Sequence, residues 1–333
     1  MDASYDRFIV RAATIDELLS DDFEALPGQK ADADLAARRL AAWCRACASG
    51  DWSLFSRRLA KDGWTIDQVI TKLATVRRKA SAPLPAWAQD AIWIDATLQG
   101  SAKAVGPIGT LDCGEPCAFE HLFTSVVDQA ELRLWSDIGA CDSLTDSARA
   151  CLRRSLLRDL CTFSAPALYE RFDQARKAAG APPDPSTVPQ NATRRYNQFV
   201  TEMKGGGFRR LFEDKPVMLR LIASITRQWL DTSRELIMRL DGDLAAIRQM
   251  LRRSKDSRVT KIETGISDPH NGGHSVKIIS FTDGSRVLYK PKDLQLDIAW
   301  YDLIRRLNQV APIELKAVHA IARNGYGWTE FVS

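Results

Sequence analysis

The stretch that most restricts the fold lies near the end of the chain. Ser267-Asp268-Pro269-His270-Asn271-Gly272-Gly273 separates two runs, 259–266 and 275–281, in which apolar and polar residues alternate. A period of two marks strands with one buried face. Asp283-Gly284 then predicts a tight hairpin into a third strand over 286–290. The period becomes helical over 293–308, with Leu296, Trp300, Leu303, Ile304 and Leu307 on one face. Two more strands fit 315–322 and 328–332, joined by Asn324-Gly325. The order of three strands, one helix and two strands predicts a five-stranded antiparallel sheet carrying one helix.

Upstream of 256 the pattern is helical, so the expected class is α+β. Over 33–178, Leu35, Leu40, Trp43 and Cys47 recur at helical spacing, and Leu54, Leu59 and Trp64 do so more loosely. Thr65 and Gln68 have the spacing of a capping box. Two more helices are expected over 119–134 and 146–178, with Thr145 as N-cap of the second and Pro166 kinking or splitting it. Breaks are expected at Ala82-Pro83-Leu84-Pro85 and around Gly106-Pro107-Ile108-Gly109. Four prolines between Pro182 and Pro189 read as a stiff linker. Met218, Leu221, Ile222, Ile225, Trp229, Leu236, Leu240, Leu244, Ile247 and Leu251 make one long apolar stripe that should face a core. Gly205-Gly206-Gly207 reads as a helix-ending turn, since no strand precedes it. The expected organisation is a helical region over 1–179, a Pro-rich linker over 180–192, a second helical block over 193–255 and the sheet region over 256–333.

A chain of 333 residues has room for two or three domains, and 45% hydrophobic with 26% charged residues is ordinary for a soluble globular protein. A net charge of +4 does not argue for a nucleic-acid partner. No run reaches the ~18 apolar residues of a membrane span, and Met1-Asp2-Ala3-Ser4-Tyr5-Asp6 lacks the basic and apolar regions of a signal peptide. A cytoplasmic protein is expected. The seven cysteines, all in the first half, are odd in number and read as reduced thiols. Cys44-x-x-Cys47 has metal-ligand spacing, and Cys113-x-x-x-Cys117 could supply two more ligands. The reading preferred is that Cys44 and Cys47 fill space on one side of a helix.

The chemistry concentrates on the Gly-rich turn and on Lys290, which follows 17 residues after Gly273. Glycines let backbone N–H groups approach phosphate oxygens, and a lysine on the third strand reaches the same phosphates as a point charge. Asn271, Gly272, Gly273 and Lys290 are therefore the candidate nucleotide-binding residues. A Gly-rich hairpin alone is a weak signal; the matching lysine and the following helix strengthen it. In kinases an acid on that helix holds the lysine. The helix here offers only Asp293, Asp297 and Asp302, of which Asp297 is the choice, against a solvated surface Asp. Asp268 and His270 either polarise a phosphate, serve as acid or base in a second step, form an Asp-x-His metal pair, or simply shape the loop, with Asp268 capping its own turn.

Taken together, the segments Ser267 to Val276, Val287-Leu288-Tyr289-Lys290-Pro291-Lys292, Leu296-Asp297-Ile298-Ala299-Trp300 and Gly325-Tyr326-Gly327-Trp328-Thr329-Glu330-Phe331 resemble the dehydratase region of class II (LanM-type) lanthipeptide synthetases. Weaker echoes occur at Glu120-His121-Leu122-Phe123, Tyr196-Asn197-Gln198-Phe199-Val200 and Lys215 to Leu221. The resemblance implies a lipid-kinase-like small lobe with an αC-type helix, preceded by helical elements that bind a ribosomally made precursor peptide. It implies ATP- and Mg²⁺-dependent phosphorylation of Ser and Thr, followed by phosphate elimination to dehydroalanine or dehydrobutyrine. By position, Lys290, Asp268 and His270 match its catalytic residues. The family's large lobe, with its Mg²⁺ ligands, and its zinc-dependent cyclase have no counterpart in these residues, so the isolated chain is expected to be inactive without them. The alternative is a non-catalytic module that binds a precursor peptide or a partner protein.

Overall fold

The structure is a computed structural model that describes residues 3–26, 33–100, 116–178, 192–252 and 256–332. Its elements in chain order are α1 (Ala3–Ala12), α2 (Ile15–Leu19), β1 (Phe23–Ala25), α3 (Ala33–Ala48), α4 (Trp52–Lys61), α5 (Ile66–Leu73), β2 (Val76–Arg78) and α6 (Ala86–Gly100). There follow α7 (Thr124–Ile138), α8 (Asp146–Ala178), α9 (Ala192–Glu202), α10 (Phe208–Asp214) and α11 (Pro216–Leu251). The last part holds β3 (Val259–Glu263), β4 (Lys277–Phe281), β5 (Arg286–Lys290), α12 (Gln295–Leu307), β6 (Ala320–Arg323) and β7 (Tyr326–Glu330). The fold is α+β, as the two periodicities require. Most of the stretch read as a linker, with Cys113 and the break around Gly106, lies outside the described residues. Two compact units form, Met1–Asp95 with Gly207–Ala223, and Ala96–Gly206 with Ser224–Ser333.

In the first unit, helix starts are set by side chains that satisfy otherwise unpaired backbone donors. Thr14 with Glu17, and Thr65 with Gln68, close capping boxes, and Asp51 accepts from the N–H groups of Ser53 and Leu54. Leu40, Cys44, Phe55, Leu59, Val69 and Leu73 bury one apolar core. The register of α4 places Phe55 in that core and leaves Leu54 exposed, a correction to the looser spacing read from Leu54. Cys44 is fully buried, and the Cys47 thiol donates to the Trp43 carbonyl at 2.9 Å, so both serve packing within α3. A two-stranded sheet, Phe23–Ala25 against Val76–Arg78, interrupts a region expected to be wholly helical. Three-residue strands are too short to show alternation. Here Arg77 pairs with Glu24 and Arg78 with Asp6, both at 2.8–2.9 Å. Arg220, near the start of α11, clasps Glu17 and stacks over Trp87.

In the second unit, α8 runs unbroken through Pro166. Of the kink or split expected there, the split does not occur. Leu160, Cys161, Ser164 and Leu168 are buried on both sides of the proline, and that packing offsets the lost backbone hydrogen bond. The helix expected from 119 begins instead at Thr124. Phe119 takes a left-handed backbone (φ 62°) and a short 3₁₀ turn over Glu120–Leu122 follows. The segments around Glu120 and Tyr196 come together: Phe119 packs with Tyr196, Phe172 and Phe199, and Glu120 bonds Arg154 at 3.1 Å. Burial pushes the Tyr196 hydroxyl and the Cys161 thiol each up to about 12. Gly206, at φ 109°, ends the helical run between α9 and α10 as the sequence suggests.

The five-stranded sheet has the order β3-β4-β5-β7-β6, with every pair antiparallel. Strand β6 begins at Ala320 and not at 315, because the Asn308 side chain takes both backbone groups of Leu315, at 2.6 and 2.8 Å. With only Asn324-Gly325 in the turn, Arg323 pairs with Tyr326, which starts β7 two residues earlier than expected. Along α11, Met218, Ile222, Trp229, Leu236, Leu240, Leu244 and Ile247 are buried as read, while Leu221 is exposed. Next to that stripe a polar row at four-residue spacing holds the sheet. Glu235 binds Arg239 and His274, Arg239 donates to the Tyr289 hydroxyl at 2.6 Å, and Asp243 accepts from Arg323, Tyr326 and Trp328. Burial alone would raise the Asp243 carboxyl, but those three hydrogen bonds outweigh it and hold it below the usual carboxylate range. Among the described residues no helix is long and apolar enough to cross a membrane.

Candidate functional site

Strand alternation divides the sheet residues between two faces. Lys277 of β4 lies opposite Tyr289 of β5, and Tyr289 lies opposite Trp328 of β7. Residues directly opposite in an antiparallel pair point the same way, so all three face α11, where Arg239 and Asp243 bind the last two. Lys290, the next residue on β5, points to the other face.

On that other face the Lys290 ammonium lies 3.6 Å from the Asp297 carboxylate, each side chain about one-fifth exposed (21% and 20%). Asp297 sits in the first turn of α12, where the helix dipole favours an acid. It also meets Lys292 at 3.2 Å. Two ammonium groups share one carboxylate, which leaves a net positive charge suited to a phosphate. The position of α12 depends on a gap in the sheet. Gly327 is the cross-strand partner of Lys290, and a Cβ there would stand 2.4 Å from the Ile321 carbonyl and 2.5 Å from Leu294 Cδ1. Leu294, fully buried just before α12, fills the space that Gly327 leaves.

The β3–β4 connection is closed by reciprocal 2.8 Å backbone bonds between His270 and His274. Asn271, Gly272 and Gly273 at its tip all have positive φ, of 44°, 81° and 96°. Among the described residues their N–H groups meet no protein acceptor, which leaves them free for an anion. The tip is tied towards α11, not towards Lys290. His274 Nδ1 donates to the Asn271 carbonyl at 2.7 Å, and Nε2 lies 2.9 Å from Glu235. Gly273 is required by this approach, since a Cβ would come within 2.9 Å of Gln228. Asp268, His270, Asn271 and Gly272 are exposed, and none bonds to Lys290 or Asp297. Among the described residues the Asp268 carboxylate makes no hydrogen bond that would cap its turn, and the Ser267 hydroxyl accepts from the Val276 N–H at 2.9 Å across the loop.

The structure thus brings together Lys290 and Asp297, while among the described residues no hydrogen bond or ion pair joins either of them to Asp268, His270, Asn271, Gly272 or Gly273. Sequence reasoning missed Lys277, which is buried behind the loop, and the Glu235–Arg239–Asp243 row. The signal for the row was present, as charges at four-residue intervals beside a continuous apolar stripe. Lys290 and Lys292 beside one carboxylate suit a phosphate oxygen, and the loop N–H groups of Asn271, Gly272 and Gly273 are a separate set of donors. Asp297 is shared between lysines, and among the described residues no group of three or more His, Cys, Asp or Glu could hold a metal ion, so Mg²⁺ would need ligands besides these.

No curated protein matches the chain closely enough to serve as a relative. Residues 216–333, from the start of α11 through the sheet, match the family described as a domain of unknown function, DUF4135, a family associated with lanthipeptide synthetase-like proteins.

Proposed function

We propose that this chain contributes the nucleotide-binding part of a lanthipeptide dehydratase of the class II type. The observation that carries the reading is the Lys290–Asp297 pair, a strand lysine held by an acid on the following helix, inside the span matched by DUF4135. In the proposed reaction the γ-phosphoryl group of ATP passes to the hydroxyl oxygen of a peptide Ser or Thr, giving ADP and a phosphate monoester. A base then removes the Cα proton, the Cα–Cβ double bond forms, and inorganic phosphate leaves with the Cβ–O bond. Lys290 would bind a phosphate oxygen, with Asp297 and the Gly327–Leu294 contact fixing its ammonium. Asn271, Gly272 and Gly273 would offer backbone N–H groups. Asp268 and His270, exposed on the same loop, are the candidates for proton transfer. No step is assigned to Mg²⁺.

The test is mass spectrometry of a Ser/Thr-containing precursor peptide incubated with ATP, Mg²⁺ and the dehydratase containing this chain. Lys290→Met should lower phosphorylation and water loss by ~10²–10³-fold, the usual effect of removing one preorganised electrostatic group. Unchanged turnover would refute the role of Lys290.

A second reading, a module that docks a precursor peptide or partner protein, is favoured by α12 itself. Leu296, Trp300, Leu303 and Leu307 are 82%, 58%, 45% and 42% exposed, and only Ile304 of that apolar row is buried. Saturable binding of a leader peptide without ATP would support it.

A further inference from the structure

The face of the sheet opposite Lys290 carries a second lysine in an unusual position. Lys277 is 6% exposed, and among the described residues no carboxylate lies within 4.0 Å of its ammonium. Its one hydrogen bond is a long one, 3.4 Å to the Ser275 hydroxyl. A buried ammonium has three donors to satisfy, and leaving a charge unpaired in the interior is costly. Lys277 borders a cavity of about 290 Å³, at the lower edge of the ~300–1,000 Å³ typical of small-molecule sites. Arg158, Ser267, Gly273 and Ser275 line the same space, as does one acid, Asp159. The Arg158 guanidinium donates to Thr264 at 2.7 Å and has further N–H groups to offer. Asp159 lies 4.0 Å from the Arg158 guanidinium with its side chain 57% exposed; burial still raises its carboxyl, and it acts on Lys277 from beyond ion-pair distance. Glu235 is occupied by Arg239 and His274.

We propose that this cavity, between α8, α11 and the β3–β4 loop, is a phosphate-binding site centred on Lys277 and Arg158, separate from the nucleotide site at Lys290. Two cations and two hydroxyls line a space that suits one phosphate group, not a nucleotide. Desolvation lowers the Lys277 ammonium below its usual range, against the opposing pull of Asp159 and Glu235, and a bound anion would favour its charged form. The proposal does not depend on the dehydratase reading, because the cavity and its charges stand whatever binds at Lys290. The phosphate is either the free ion or the phosphate of a phosphorylated side chain.

The test is calorimetric titration of the 333-residue chain with inorganic phosphate and, in parallel, with a phosphoserine tripeptide. Saturable binding is expected that weakens by at least about tenfold in Lys277→Met and Arg158→Ala, and that Lys290→Met leaves intact. Tighter binding of the tripeptide would assign a phosphorylated side chain, and tighter binding of the ion would assign free phosphate. Either supports the site. No saturable binding of either probe, or binding lost in Lys290→Met and kept in Lys277→Met, would overturn it. Should Lys277→Met fail to fold, acetylation of Lys277 in the unaltered chain gives the answer. Phosphate should protect Lys277 from acetic anhydride, and unprotected labelling would overturn the proposal.

Discussion

Removing the Asp243 carboxylate should loosen the hairpin that carries Gly327. The carboxylate is buried and accepts from Arg323 Nε at 2.8 Å, the Tyr326 hydroxyl at 2.9 Å and Trp328 Nε1 at 2.9 Å. In Asp243→Ala, the fully buried indole N–H and the half-buried phenol lose their acceptor. Each such orphaned donor costs ~1–3 kcal/mol. Arg323, with its side chain 38% exposed, returns to water and adds little. The half-buried phenol recovers part of its loss in water, so the total should be about 2–5 kcal/mol. In a unit of this size each kcal/mol moves Tm by ~2–4 °C, so thermal unfolding followed by circular dichroism should shift down by roughly 4–20 °C. Asp243→Asn keeps an acceptor and should lose less. The pH dependence follows from the sign of the shift. The folded carboxyl lies below its usual value, so its contribution is present above the ordinary carboxylate range and disappears as pH falls through the lowered folded value. The gap between the unaltered chain and Asp243→Asn should accordingly narrow on acidification. A shift for Asp243→Ala below ~2 °C, or a gap that widens in acid, would refute the reasoning.

Gly327→Ala should force Leu294 aside, cost about 1–3 kcal/mol by overpacking, and displace Asp297 from Lys290. Equal thermal stability with unchanged ATP affinity would contradict it. Thr65→Ala removes one half of the capping box that starts α5 and should destabilise the first unit by ~1 kcal/mol in urea titrations, while Thr65→Ser should be nearly neutral.

Much of the sheet region was legible because its strands are long enough to show alternation and its turns carry Asp283-Gly284 and Asn324-Gly325, residues that tolerate the backbone a tight hairpin needs. The bounds of β5 follow directly from the turn before it. Less legible were features that depend on distant partners. Phe23–Ala25 and Val76–Arg78 become strands only by pairing across more than fifty residues, and nothing local marks them. Asn308 ends the expected strand at 315 through a side-chain bond that no periodicity encodes. Asp297 could be chosen as the partner of Lys290 because a strand lysine needs an acid on the next helix, and few acids were on offer. Lys277 could not be found this way. Its strand position looks like any solvated lysine, and only the packing of α8 and α11 buries it. The same packing draws the Gly-rich tip towards α11, which its composition alone does not reveal.

The most direct test of the central claim is equilibrium binding of a fluorescent ATP analogue to the 333-residue chain, to Lys290→Met and to Asp297→Asn. The account predicts saturable binding that Lys290→Met abolishes and Asp297→Asn weakens, since that variant leaves the lysine without its anchoring charge. Equal binding by all three proteins, or none by the unaltered chain, would contradict a nucleotide site at Lys290.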